Sequence, residues 1–226
     1  SSVRRALDIR IVPGFSPVLS LTSVRVDGPC DRGTLAAIAG LVAVQRFYAP
    51  TGFQLEIAKA LLNILTVAVI GSACNYGYGT VDPIAELGAM AQERGIGLHV
   101  DGCLGGFILP WGEELGYPVP PFDFRVPGVT SISADTHKYA YGLKGTSVLL
   151  YRDAELRRRQ YSTFPDWPGG LYVSPGMSGS RSGGVIAATW AAMVTTGEHG
   201  YLAAAADIHR TALALRAAVE AQPRLA

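Results

Sequence analysis

The chain has 226 residues, of which 49% are hydrophobic and 16% charged. That is enough apolar material for a sizeable core and too much for a disordered chain. Nineteen basic and 18 acidic side chains leave a formal charge of +1, which excludes the basic footprint of a nucleic-acid binder. Cys30, Cys74 and Cys103 form neither a disulfide framework nor a zinc pattern, and fit a reducing, cytoplasmic compartment.

No apolar signal core follows Ser1-Ser2-Val3-Arg4-Arg5. Residues 1–64 are broken by Pro13, Pro17, Pro29 and Pro50. Short strands are expected at Ile9–Val12 and Ser23–Val26, and helices over Thr34–Val44 and Gln54–Leu62. No chemistry attaches to this segment, which stays unassigned.

From Leu65 the pattern sharpens. Thr66–Ile70 is a β-branched apolar run, as expected of a buried strand. The wider run Ile64–Ala73 is about half of the roughly 20 residues that a membrane span needs, so no transmembrane segment is expected. A loop of small residues, Gly71–Gly79, comes next. Asp82 and Pro83 predict a helix start, Asp82 as N-cap and Pro83 at the first helical position. Ile84, Leu87, Met90 and Ala91 form its apolar stripe, and Gly95 stops it. Gly97–Asp101 is the next strand, completing a βαβ unit.

Gly102–Gly128 reads as a long loop with five prolines. Strands follow at Thr130–Ala134 and Thr146–Tyr151, then a short helix over Glu155–Tyr161. Trp167–Gly170 and Ser178–Gly184 are loops, and Val185–Thr196 and Tyr201–Ala221 are helices. The alternation predicts an α/β domain over 65–226 with a mainly parallel sheet. Ligands in such sheets sit at the carboxyl ends of strands, where Ser72, Asp101 and the segment Asp135–Lys138 fall.

A carboxylate at the position of Asp101 either caps a turn or faces a cation. A loop lysine such as Lys138 is either solvated or a working amine. Together they fit pyridoxal 5'-phosphate (PLP), which needs a lysine amine for its Schiff base and a carboxylate to keep its ring nitrogen protonated.

Two strings make the match specific: Leu98-His-Val-Asp-Gly-Cys-Leu-Gly-Gly-Phe107 and Ser131-Ile-Ser-Ala-Asp-Thr-His-Lys-Tyr139. With Pro121–Arg125, Lys144–Ser147, Asp166–Gly170, Gly179–Arg181 and Gly197–Tyr201, the chain resembles the sphingosine-1-phosphate lyase family, which is related to the group II amino-acid decarboxylases. The likeness covers roughly residues 65 to 220.

The resemblance implies a PLP-dependent fold type I large domain, an apparently incomplete one, working as a homodimer. It implies Lys138 as the Schiff-base lysine and Asp101 as partner of the ring nitrogen. His137 would touch the cofactor phosphate or the substrate, and Ser72 would line the cofactor pocket. Lys144 and Gly145 would approach phosphate or assist proton transfer. Arg181 would bind the phosphate of a small-molecule or lipid substrate. Read from the residues alone, His137 could instead serve a loop hydrogen bond, Lys144 could be a plain loop cation, and Arg181 could pair with Asp166. His99 is expected to be packed or capping, and Cys103 to be a small buried residue near the cofactor, not a nucleophile.

The chain departs from the family at Gly102, where the family has Ala, and at Ser182, where it has Pro. No Gly-Gly-Thr-Glu-Ser type turn for the cofactor phosphate occurs in residues 1–65. No histidine precedes His99, and the family's small C-terminal domain is not expected within this sequence. The resemblance implies C2–C3 cleavage of phosphorylated sphingoid bases. The alternatives are an amino-acid decarboxylase, or a non-catalytic fragment or interaction module.

Overall fold

The apolar run near residue 66 does form a strand, and the structure, a computed structural model, shows what holds it. Residues 41–43, 66–166, 168–176 and 179–224 are described, and they fall in two compact units. The first holds the described residues up to Asp101 with Pro121–Ile132 and Tyr151–Asp153. The second holds Gly102–Pro120, Ser133–Leu150 and the described residues from Ala154 on. The elements expected at residues 9–12, 23–26 and 54–62 lie outside the described residues.

In the first unit β1 (Leu41–Ala43), β2 (Ala68–Ser72) and β3 (Gly97–Asp101) run parallel. At residues 41–43 strand β1 corrects the helix expected over 34–44: its backbone pairs with Ala68–Ile70, and a ladder of that kind overrides local propensity. Between β2 and β3 lies α1 (Ile84–Arg94). Its stripe Ile84, Leu87, Met90 and Ala91 is buried, as the 3.6-residue spacing requires. Gly95 ends it in the left-handed region, φ 63°, and Ile96 N–H closes on Ala91 O at 3.0 Å.

The expected cap is a correction. The N-cap position falls to Pro83, and the Asp82 carboxylate accepts Ser72 N–H at 2.7 Å. It thus ties the end of β2 to the entry of α1. Strands β4 (Val129–Ala134) and β5 (Val148–Tyr151) complete a sheet of order β1–β2–β3–β4–β5. Arg152 ties the segment before β4: its guanidinium lies 5.4 Å from the Phe124 ring centre and donates to Val129 O (2.6 Å) and Val126 O (2.7 Å).

In the second unit the proline-rich stretch is not all loop. It holds a 3-10 turn, Gly105–Phe107, and α2 (Leu109–Glu114), with Pro110 in the first turn, where its missing N–H costs nothing. The unit continues with α3 (Ala154–Arg158), an antiparallel pair β6 (Ser162–Phe164) and β7 (Tyr172–Ser174), and α4 (Gly183–Glu220). Gly197, at φ 59° and ψ 176°, breaks α4 into two arms, matching the two helices expected there. Trp111 stacks on Tyr201 at 5.8 Å and Tyr117 on His209 at 4.2 Å, fastening α2 and the residues after it to the second arm.

Candidate active site

Strand ends deliver the polar groups. In the first unit Ser72 and Asp101 are register partners, each closing its strand, and Ala73 N–H donates to Asp101 O at 2.8 Å. Asp101 is half-buried and lies on the same face of β3 as His99, two residues earlier. His99 Nδ1 meets Ser131 Oγ at 2.8 Å. Burial pulls the His99 imidazole below its ordinary range, and the nearby Asp101 carboxylate only partly opposes this.

In the second unit the backbone after β4 turns so that Asp135, His137 and Lys138 face one another. Lys138 Nζ sits 3.0 Å from Asp135 Oδ2, and His137 Nε2 sits 3.6 Å from the same oxygen. Ser147 Oγ donates to Asp135 Oδ1 at 2.6 Å. Partial burial pushes the Asp135 carboxyl up, but the Ser147 bond and the Lys138 and His137 charges outweigh it and hold the group below the usual carboxylate range. Lys138 mirrors this. Burial pulls its ammonium down, yet the Asp135 carboxylate and Cys103 beside it raise it above the ordinary lysine range. Gly102 N–H donates to Ser133 O at 2.9 Å, and Asp135 N–H approaches Cys103 O at 3.4 Å, which sets Cys103 against this cluster.

His137 does serve a loop hydrogen bond: its Nδ1 lies 3.1 Å from Thr146 O. A carbonyl only accepts, so Nδ1 carries the proton and Nε2 faces Asp135. Lys144 and Gly145 lie exposed in the same loop, Gly145 at φ 116°. Arg181 is exposed and makes no ion pair with Asp166 among the described residues. Cys103, expected to be buried, is half-buried. Residue-type reasoning missed Asp135 as the partner of Lys138. The spacing of three residues across a turn was the available signal, and the short reach of Asp makes it effective.

The second unit offers a half-buried lysine, Lys138, and the first a half-buried strand-end carboxylate, Asp101; an amine for its aldehyde and an anion for its ring nitrogen are the kinds of donor that PLP takes. The residues present fit that group. Among the described residues no cluster of His, Cys, Asp and Glu could hold a metal, and no helix is long and apolar enough to cross a membrane. Fold and donor set together define a PLP-dependent α/β protein.

A profile of the pyridoxal-dependent decarboxylase conserved domain matches residues 50–226, and the chain belongs to that family. It is 50% identical over 164 residues to the sphingosine-1-phosphate lyase of Dictyostelium discoideum, covering 72% of this chain and 31% of the relative. The structure of the Burkholderia pseudomallei sphingosine-1-phosphate lyase is 60% identical, with a TM-score of 0.72 over 75% of this chain and 39% of that one. Glutamate decarboxylase from Lactobacillus brevis shares the fold at 22% identity and a TM-score of 0.61, over 76% of this chain and 39% of that one. The chain thus spans about a third of the length of these relatives.

Proposed function

We propose that this chain is the lysine-bearing part of a PLP-dependent lyase that cleaves the C2–C3 bond of phosphorylated sphingoid bases, giving a long-chain aldehyde and phosphoethanolamine. The observation that carries the reading is the setting of Lys138, half-buried after β4 and paired with Asp135 at 3.0 Å. Identities of 50% and 60% to sphingosine-1-phosphate lyases support the choice of substrate. When bound, PLP supplies an electron sink for the bond that breaks.

The chain's own residues supply the rest of the reading. Lys138 is the Schiff-base lysine. Asp101 is the anion for the ring nitrogen, and Ser72 beside it lines the cofactor's place. His137 presents Nε2 from a ring whose Nδ1 proton is held by Thr146 O, ready for phosphate or substrate. Lys144 and Arg181, both exposed cations, are the groups for the substrate phosphate, and Gly145 leaves the backbone open to it. A homodimer belongs to the same reading: Ile186, Trp190 and Val194 form an exposed apolar stripe on the first arm of α4. So does a cytoplasmic location, in keeping with Cys74 and Cys103 being thiols rather than a disulfide.

Incubation with PLP and a phosphorylated sphingoid base should release aldehyde and phosphoethanolamine, whereas release of carbon dioxide from glutamate would favour a decarboxylase. Lys138→Ala should abolish the cofactor absorbance near ~420 nm. Retention of that band in the variant would refute the role of Lys138.

A further inference from the structure

Three threonine hydroxyls that the proposed function leaves idle lie behind the lysine loop. Thr189, on the first arm of α4, is only 6% exposed, and Thr136, next to His137, only 2%. A threonine inside a helix ordinarily returns its hydroxyl to the carbonyl four residues back. Thr196 and Thr211 of the same helix do so, to Ala192 O and Asp207 O at 2.8 Å each. Thr189 instead reaches out of its helix to Thr146 Oγ1 at 2.9 Å.

Counting protons gives the chain a direction. Thr136 Oγ1 donates to Thr146 O at 2.8 Å, so its single proton is committed. The 2.6 Å contact between Thr136 Oγ1 and Thr146 Oγ1 must then run from Thr146. With that proton also committed, Thr189 is the donor to Thr146. The relay ends at Thr146 O, whose other lone pair takes His137 Nδ1–H. Gly142 closes the loop: its N–H donates to Thr136 O at 2.8 Å, and a Cβ there would meet Thr136 O at 2.9 Å and Thr189 Oγ1 at 3.2 Å. The second arm of α4 grips the same loop through Tyr201 Oη, which donates to Ala140 O at 2.8 Å.

We propose that Thr189 is a positioning residue for the lysine loop: at the head of the Thr189–Thr146–Thr136 relay, it fixes the backbone that carries Lys138 and the proton on His137 Nδ1. The kinetic side of this inference rests on the reading of Lys138 given above; the structural side does not. Removing the hydroxyl while keeping the shape leaves Thr146 Oγ1 without its donor and frees the relay to reverse. Lys138 and His137 then sample other placements.

The test uses Thr189→Val and Thr189→Ser, with Thr211→Val as control and Thr189→Ala read in place of valine should that variant not fold. T189V should lower kcat on a phosphorylated sphingoid base roughly three- to tenfold, the worth of one ordinary hydrogen bond, with KM within about twofold. Hydrogen exchange at the Gly142 amide should quicken by a similar factor. T189S should restore both, and T211V should change neither. Unchanged Gly142 exchange in T189V, or a serine variant as impaired as valine, would overturn the proposal. If borohydride traps no PLP on Lys138 of the wild type, the reading of Lys138 fails by itself, and Gly142 exchange still decides the role of Thr189.

Discussion

Replacing Asp135 with Asn removes a negative charge 3.0 Å from the Lys138 ammonium while keeping an oxygen for Ser147. The attraction lost follows from Coulomb's law. At that distance it is about 1.4 kcal/mol at the dielectric of water and about 2.8 kcal/mol at half that value, a fair bracket for a lysine side chain 29% exposed. Asp135 favours the charged amine, so its loss favours the neutral one. The neutral fraction at pH 8 should rise roughly ten- to a hundredfold. Schiff-base formation requires the neutral amine, so PLP capture, trapped with borohydride and followed by mass spectrometry of the Lys138 peptide, should be faster in D135N and its pH profile should move to lower pH. An unchanged profile, or one moved to higher pH, would refute the view that Asp135 governs the charge of Lys138.

Other consequences follow from the same structure. Asp135 is held below the usual carboxylate range, so its pairing stabilises the fold above about pH 3.9, the unfolded value, and that stability is lost as pH falls through the folded value; urea titrations should show a shallower acid limb in D135N. His99 is also depressed. Its neutral form therefore stabilises the fold above about pH 6.5, and the gain is lost as pH falls. His99→Gln should remove the slope just below pH 6.5 in urea midpoints. Gly128→Ala would set a Cβ 2.5 Å from the Gly88 carbonyl carbon and 2.6 Å from its Cα. Backbone cannot swing aside, so thermal unfolding should report a loss of about 3 kcal/mol, the upper end for overpacking.

The parts of the fold legible in the sequence were those ruled by short-range periodicity and termination. The stripe of α1, its stop at Gly95 and the strand ending in Asp101 all stand where spacing placed them. So does the break between the arms of α4, because Gly197 tolerates a conformation that a Cβ resists. What escaped depended on partners far away in the chain. Strand β1 is set by pairing with β2, and β6 and β7 are three-residue strands that exist only as a pair. Helix α2 hides among prolines, although Pro110 sits where a helix accepts it. Asp82 has the composition of a cap, yet the amide of Ser72 takes its carboxylate. Within the candidate site the strand-end positions of Asp101 and of the segment carrying His137 and Lys138 were legible in the spacing. The relay through Thr136, Thr146 and Thr189 was not, since nothing local marks a helical threonine that bonds outward.

The central claim is that Lys138 is the amine that holds the cofactor. Borohydride reduction of the protein with PLP, followed by peptide mass spectrometry, tests it directly. One stable pyridoxyl-phosphate label is expected on the peptide carrying Lys138, lost in Lys138→Ala. A label found only on Lys144, or none at all, would contradict it.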